Sequence, residues 1–477
     1  MAASPPVIVW FRRDLRLADN PALFEAAQSG RPVVPVYLWE DDAPRPPGSA
    51  ARWWLHHSLK ALSRQLTAAG TPLVLRRGRA IEELPRLAAE VGADTILWNR
   101  RTAPRDAALD STVTRALVGL GLRVESFNAA LLFEPDAVRT RGNQPFQVFT
   151  PFWRACLSLP EPARPLPAPA ALSGRSEAVG GDAVEDWRLL PGTPDWAKGI
   201  AAVWTPGEDA ARARLCDFVE EGLPRYTHRR DLPDQDGTSR LSAHLAFGEI
   251  SPRQVWHAAR HAGAETADGF LRELGWREFS HHTLAFSPDF AEQPQRREFI
   301  GFPWTEDAGQ WAAFIAGRTG YPIVDAGMRA LWDTGWIHNR VRMIVASFLV
   351  KDLLIPWQRG EEWFWDTLVD ADAAANAAGW QWVAGCGLDS APYFRIFNPV
   401  VQGEKFDPRG RYVRRWLPEL ARLPDQFIHR PWDAPPEQLR AAGLALGHDY
   451  PRPIIDHGTA RRRALHAYSA LRGAGAA

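Results

Sequence analysis

Apolar positions in the first quarter of the chain come in short, nearly unbroken runs: Val7–Phe11, Val33–Leu38, Pro72–Leu75, Thr95–Trp98 and Val124–Phe127. Between them the spacing changes to a helical period over Pro21–Gln28, Ala51–Ala69, Ile81–Val91 and Asp106–Gly119. Unbroken apolar strands are covered on both faces, so this alternation predicts a doubly wound, Rossmann-like α/β domain with a parallel sheet. No GxGxxG follows the first run, which argues against ordinary dinucleotide binding.

Residues 159–207 lose periodicity. Pro, Gly and Ala crowd PEPARPLPAPAALSG and a Gly-Gly pair, and the stretch reads as a long connector over the surface. From about Glu208 strand signals fade and helical periods recur: Ala210–Glu221, Pro252–His261, Ala267–Phe286, Trp311–Ala316, Pro322–Thr334, Asn339–Ile355, Glu361–Leu368 and Pro435–Leu446. Most open on Pro, Asp or Asn and close near Gly or Pro. The expected division is an α/β domain over 1–132, a connector over 133–207 and an all-α domain over 208–477.

Composition narrows the function classes. The chain has 477 residues, 45% hydrophobic and 23% charged, as a soluble multidomain protein would. Lys+Arg and Asp+Glu both number 56, so a generic polyanion binder is disfavoured, although a local basic patch is not. The three cysteines form no CxxC; this argues against a zinc site and suits a reducing cytoplasm. No signal peptide is apparent at the N-terminus, and the apolar run Met343–Val350 is too short for a membrane span. The 22 tryptophans are many. Taken singly each reads as core.

Two polar clusters stand out. GTSRLS (Gly237–Ser242) offers hydroxyls, an arginine and backbone N–H groups where a loop feeds a helix, which fits an anion site or simply a capped helix start. In DADAAANAAGWQW (Asp370–Trp382), Asp370 and Asp372 precede a helix as caps or ligands, Asp370 is positioned to pair with Arg342, and Asn376 follows Asp372 by one turn. Glu273 and Trp276 share one helix face, and Asn339, Arg340 and Met343 share another.

These strings, with GYPIVDAGMRAL, GWIHNRVRM, FLVKDLLI, APYFRIFNPVVQGEKFDP and the opening VIVWFRRDLRLADNPAL, resemble the photolyase/cryptochrome family from Val7 to about Trp432. The resemblance implies FAD bound by Tyr226, Thr238, Ser239, Arg240, Leu241, Ser242, Arg277, Arg342, Asp370, Asp372 and Asn376, with Asn376 beside flavin N5. It implies light-driven splitting of cyclobutane pyrimidine dimers in DNA by reduced, anionic FAD. Trp380, Trp357 and Trp304 would carry electrons from surface to flavin. Trp276, Trp382, Met343, Glu273, Asn339, Arg340 and Arg395 would meet the flipped-out dimer, and Arg230, Arg340, Arg342 and Arg395 its phosphates. Glu273 is assigned a hydrogen-bond donor's role, on the premise that burial raises its pKa.

Details favour repair in duplex DNA by a class I enzyme. By resemblance, (6-4) photolyases carry His at positions 339 and 343, single-strand-preferring members lack the paired tryptophans, plant photoreceptors usually have Asp where Asn376 stands, and signalling members carry a long C-terminal extension. Ala377 departs from the second Asn of several repair relatives. The first domain is expected to hold an antenna chromophore near Trp98–Asp106, with 5,10-methenyltetrahydrofolate the first choice and deazaflavin the second, although the segment lacks the carboxylate of some folate-binding members. A cytoplasmic monomer is expected, with no metal. The alternative is a blue-light photoreceptor of the same fold.

Overall fold

The computed structural model describes residues 4–175, 179–390 and 394–474; positions 391–393 of the APYFRIFNPV motif lie outside the described residues. Five parallel strands, β1 (Val7–Phe11), β2 (Val33–Glu40), β3 (Val74–Gly78), β4 (Thr95–Asn99) and β5 (Arg123–Phe127), form a sheet of order β3-β2-β1-β4-β5. Register runs Val7 opposite Val33 and Thr95. Helices α1 (Pro21–Gln28), α2 (Ser49–Ala68), α3 (Ala80–Val91) and α4 (Pro104–Gly119) complete the domain. Strands β1 and β4 are buried throughout, and β2 over its first four residues, because apolar layers cover both faces. The edge strands β3 and β5 are polar at Arg76, Arg77, Arg123 and Glu125, and this is why the apolar run at Pro72–Leu75 points two residues too early.

Residues 133–207 are partly ordered into elements. Helix α5 (Phe149–Ser158) buries Phe149, Phe152 and Trp153 in a core shared with the Ala264–Phe286 helix, and Leu172, Val184, Trp187 and Leu189 cover the sheet. The remainder of the described chain is helical, with its largest core around the Pro322–Thr334, Asn339–Ser347 and Trp357–Thr367 helices. The helix expected over Asn339–Ile355 is regular only to Ser347 and widens over Phe348–Asp352, where Lys351 and Asp352 are buried. The long His457–Ala474 helix had no clear apolar stripe, because its buried positions are the alanines 460, 464 and 467.

The two domains are joined by buried polar contacts. Arg16 donates to the carbonyls of Asp19, Gly248 and Ala129, and Glu208 accepts from the N–H groups of Leu17 and Ala18. Gly248 has φ +65° and lies so close to Arg13 that a Cβ would collide with that backbone. Among the described residues no helix is long and apolar enough to cross a membrane, and no group of His, Cys, Asp or Glu could hold a metal.

Candidate active site

The loop Asp236–Leu241 owes its shape to a residue that sequence spacing gives no reason to choose. Arg214 reaches from a neighbouring helix to the carbonyls of Thr238 (2.9 Å) and Ser239 (2.8 Å), and is itself held by Asp236. Arg240 stands at φ +53° with its guanidinium 5.0 Å over the Trp336 ring. A side chain rarely adopts that backbone region without a local reason. Leu241 is buried, Ser242 opens a single helical turn, and Tyr226 lies buried against Phe218 and Phe270.

The acid pair at the head of the Ala373–Ala384 helix divides its labour. Asp370 accepts from Arg342 at 2.7 Å, leaving its other oxygen buried without a partner. Asp372 is the N-cap, accepting from the N–H groups of Ala374 (3.1 Å) and Ala375 (2.8 Å). Its second oxygen lies 3.5 Å from His281 Nε2. Burial pushes the Asp372 carboxyl up, but His281 and Arg277 outweigh it and hold it below the usual range. His338 caps the Asn339–Ser347 helix by accepting the Arg340 N–H on Nδ1. Burial pushes its pKa down to about 4, so the ring is neutral and Nε2 carries the proton. That Nε2 is buried and unpartnered. Buried polar atoms are normally satisfied, so an unmet acceptor on Asp370 and an unmet donor on His338, with Arg342 and Arg240 close by, fit a polar cofactor such as FAD.

Asn376 faces the Trp357–Thr367 helix, and its Nδ2 donates to the Glu361 carbonyl (2.9 Å) and Oε1 (2.8 Å). Arg277 is turned to the domain boundary, donating to the Ala130 carbonyl and to Glu278. Trp380 is buried edge-on to Phe364, and a Cβ on Gly360 would collide with its ring; Trp357 is fully buried and Trp304 half-buried against Phe302.

The residues expected at the substrate are brought to neighbouring helices and joined through one loop. Arg230 pairs with Glu273 at 2.7 Å, and the adjacent Asp231 pairs with Arg340 at 2.9 Å, whose guanidinium also lies near Met343 Sδ. Trp276, Met343 and Trp382 are half-buried, while Asn339 and Arg395 are exposed. Trp276 stacks on Phe149 of α5 with centroids 3.9 Å apart and planes 7° apart, a partner unforeseen in the sequence. The Glu273 side chain is 32% exposed and ion-paired with Arg230.

A cavity of about 550 Å³ lies between the domains, lined by Arg45, Arg101–Asp106, Arg277, Glu361, Glu362 and Trp365 among others. Besides Asp106, the lining takes carboxylates from Glu361 and Glu362 of the helical domain.

Family models describe residues 7–170 as DNA photolyase and 270–470 as the FAD binding domain of DNA photolyase. A deoxyribodipyrimidine photo-lyase of Agrobacterium fabrum is 51% identical over 98% of both chains. The chain belongs to the DNA photolyase/cryptochrome family. Cryptochrome-1 of Arabidopsis thaliana is 42% identical over 97% of this chain and 70% of its own length. A crystal structure of a bacterial class III photolyase from Agrobacterium tumefaciens matches with TM-score 0.96 and 51% identity over 99% of both chains. The class I expectation is therefore unsupported: a photolyase similar over the whole chain is described as class III.

Proposed function

We propose that this photolyase-family chain is a deoxyribodipyrimidine photo-lyase that uses light to split cyclobutane pyrimidine dimers in DNA, and that it groups with the class III enzymes. The photo-lyase at 51% identity supports the activity, and the class follows a solved class III relative that is similar over the whole chain. The observation that carries the site is the Arg342–Asp370 pair, with the second Asp370 oxygen buried and unmet; Tyr226 and Thr238–Ser242 supply the other expected ligands. Those residues, with Asp372 and Asn376, would hold FAD.

FAD held by these residues would supply the light-driven one-electron chemistry that splits the cyclobutane bonds with no net redox change. The chain's own residues orient and shield. Trp276, braced by Phe149, and Trp382 give aromatic walls to an extruded pyrimidine dimer, each stack contributing roughly 1–3 kcal/mol. Glu273 accepts hydrogen bonds as a carboxylate held by Arg230. Asn339, Arg340 and Met343 form the facing edge, and Arg395 is exposed for phosphate. Trp304, Trp357 and Trp380 would re-reduce the flavin. The interdomain cavity is the place for an antenna chromophore, folate before deazaflavin. A monomer in the cytoplasm completes the reading.

Light-dependent splitting of a defined thymine dimer in duplex DNA, with a dark control, tests this. Repair in the light alone is the expected result. FAD bound and reduced with no repair would favour a blue-light photoreceptor, which the likeness to cryptochrome-1 keeps as the second reading.

A further inference from the structure

The loop before α2 is clamped to the flavin side of the helical domain. Arg45 forms a bidentate pair with Glu361, Nη1 to Oε1 at 2.8 Å and Nη2 to Oε2 at 2.6 Å, and its guanidinium lies 3.9 Å over the Trp365 ring. Trp365 Nε1 donates to the Pro46 carbonyl, and Ser49 donates its N–H and hydroxyl to Asp366. The Glu361 side chain is 2% exposed, so the pair is shielded where charge-assisted bonds are strong.

Glu361 in turn fixes Asn376. Both amide hydrogens of Asn376 face acceptors, the Glu361 carbonyl and Oε1. The flipped carboxamide would set its oxygen against those same two acceptors, so only one orientation is allowed. Asn376 Oδ1 then has no hydrogen-bond partner among the described residues. It is a pure acceptor.

We propose that Arg45 and Glu361 are positioning residues that lock the Asn376 carboxamide with its oxygen free for the flavin, so that the first domain sets which protonation state of flavin N5 the second domain prefers. This rests on the reading above that N5 lies beside Asn376. An acceptor there is complemented by N5–H, which reduced flavin carries and oxidised flavin lacks. Releasing the lock lets the carboxamide rotate and present a donor, which favours the oxidised form. The cavity between the domains is lined by Arg45, Glu361 and Trp365, so a molecule bound there touches the same lock.

The test uses full-length FAD-loaded protein, with dark reoxidation of photoreduced flavin followed by absorbance. Arg45→Met and Glu361→Leu should each speed reoxidation roughly tenfold, the scale of one hydrogen bond to a charged group. The double variant should do no more than either single one, because both act through Asn376. Arg45→Lys, and Glu361→Gln with its acceptor kept, should recover part of the wild-type rate. Arg45→Met leaves the buried Glu361 carboxylate without its cation, so melting temperature and FAD content are followed beside the rate, and Arg45→Lys serves as the charge-keeping control. Arg45→Met reoxidising like wild type with full FAD content would overturn the lock alone. Wild-type protein that takes up no FAD would overturn the flavin reading, and this inference with it.

Discussion

Arg230 Nη1 lies 2.7 Å from Glu273 Oε1, joining the loop after Tyr226 to the helix that carries Trp276. Each side chain keeps about a third of its surface, so the pair is weak as a source of stability and open to rearrangement by a ligand. Glu273→Ala should weaken binding to dimer-containing duplex by about tenfold through the lost bond to the base edge. Undamaged duplex should bind unchanged or slightly better, since Arg230 is freed for phosphate. Fluorescence anisotropy on matched damaged and undamaged duplexes separates these, and equal loss on both would refute a base-edge role.

The stacking of Trp276 on Phe149 makes a second expectation. Phe149 belongs to α5, within the stretch expected to be connector, yet it holds the aromatic wall that would meet the dimer. Phe149→Ala should reduce dimer affinity through a loosened Trp276, and Trp276→Ala should cost more, roughly 1–3 kcal/mol. FAD content should stay constant in both. A Phe149→Ala protein with wild-type affinity would show that Trp276 needs no brace.

Much of this was legible in the sequence for identifiable reasons. The central strands β1, β2 and β4 are apolar on both faces, and the Pro322–Thr334 helix runs from a helix-starting proline to Gly335 at φ +65°. Asp370–Arg342 was also legible, because a carboxylate buried in apolar helical sequence needs a cation. Arg214, His338, Glu361 and Phe149 were not. Arg214, Glu361 and Phe149 act across a long sequence separation on partners that only the fold brings near, and His338, although it caps the helix just beyond it, shows its buried unmet Nε2 only in the fold. The depth of Glu273 was not legible either, since helix spacing gives the face a residue occupies but not its exposure.

Removing Arg342 from its pair with Asp370 should empty the proposed flavin site. Arg342→Ala leaves Asp370 buried at 8% exposure with neither oxygen partnered, and a buried, unpaired carboxylate is costly. The purified variant should carry little FAD, seen as loss of visible absorbance, and should melt earlier. Asp370→Asn should retain more cofactor. Full FAD occupancy in Arg342→Ala would remove this pair from the cofactor site.

Acid should unfold the chain partly through histidines that the fold keeps neutral. His282 accepts the Phe146 N–H among aromatic rings, and burial lowers its pKa from 6.5 to about 4. The folded pKa lies below the unfolded one, so the unfolded chain takes up the proton first. The contribution is complete above 6.5 and drains away as pH falls toward 4, by at most about 1.4 kcal/mol per pH unit. Glu278 works oppositely: burial raises it from 4.5 to about 7, so its contribution is lost as pH rises through that range. His282→Gln, which keeps an acceptor for Phe146, should flatten the acid limb of stability in urea titrations. An unchanged slope would place the acid sensitivity elsewhere, at His281 or His338.

The tryptophans make the last expectation, because they separate supplying electrons from using them. Trp380 and Trp357 are buried and Trp304 is half-exposed, an order that suits entry of an electron from solvent at Trp304. Trp304→Phe should bind FAD and dimer DNA normally but fail to reduce its flavin in light with an external donor present. Chemically reduced Trp304→Phe protein should then repair dimers at the wild-type rate, since the splitting electron starts on the flavin and not on Trp304. Normal photoreduction in Trp304→Phe would move the entry point to another aromatic residue. Lost repair after chemical reduction would mean that Trp304 shapes the site itself.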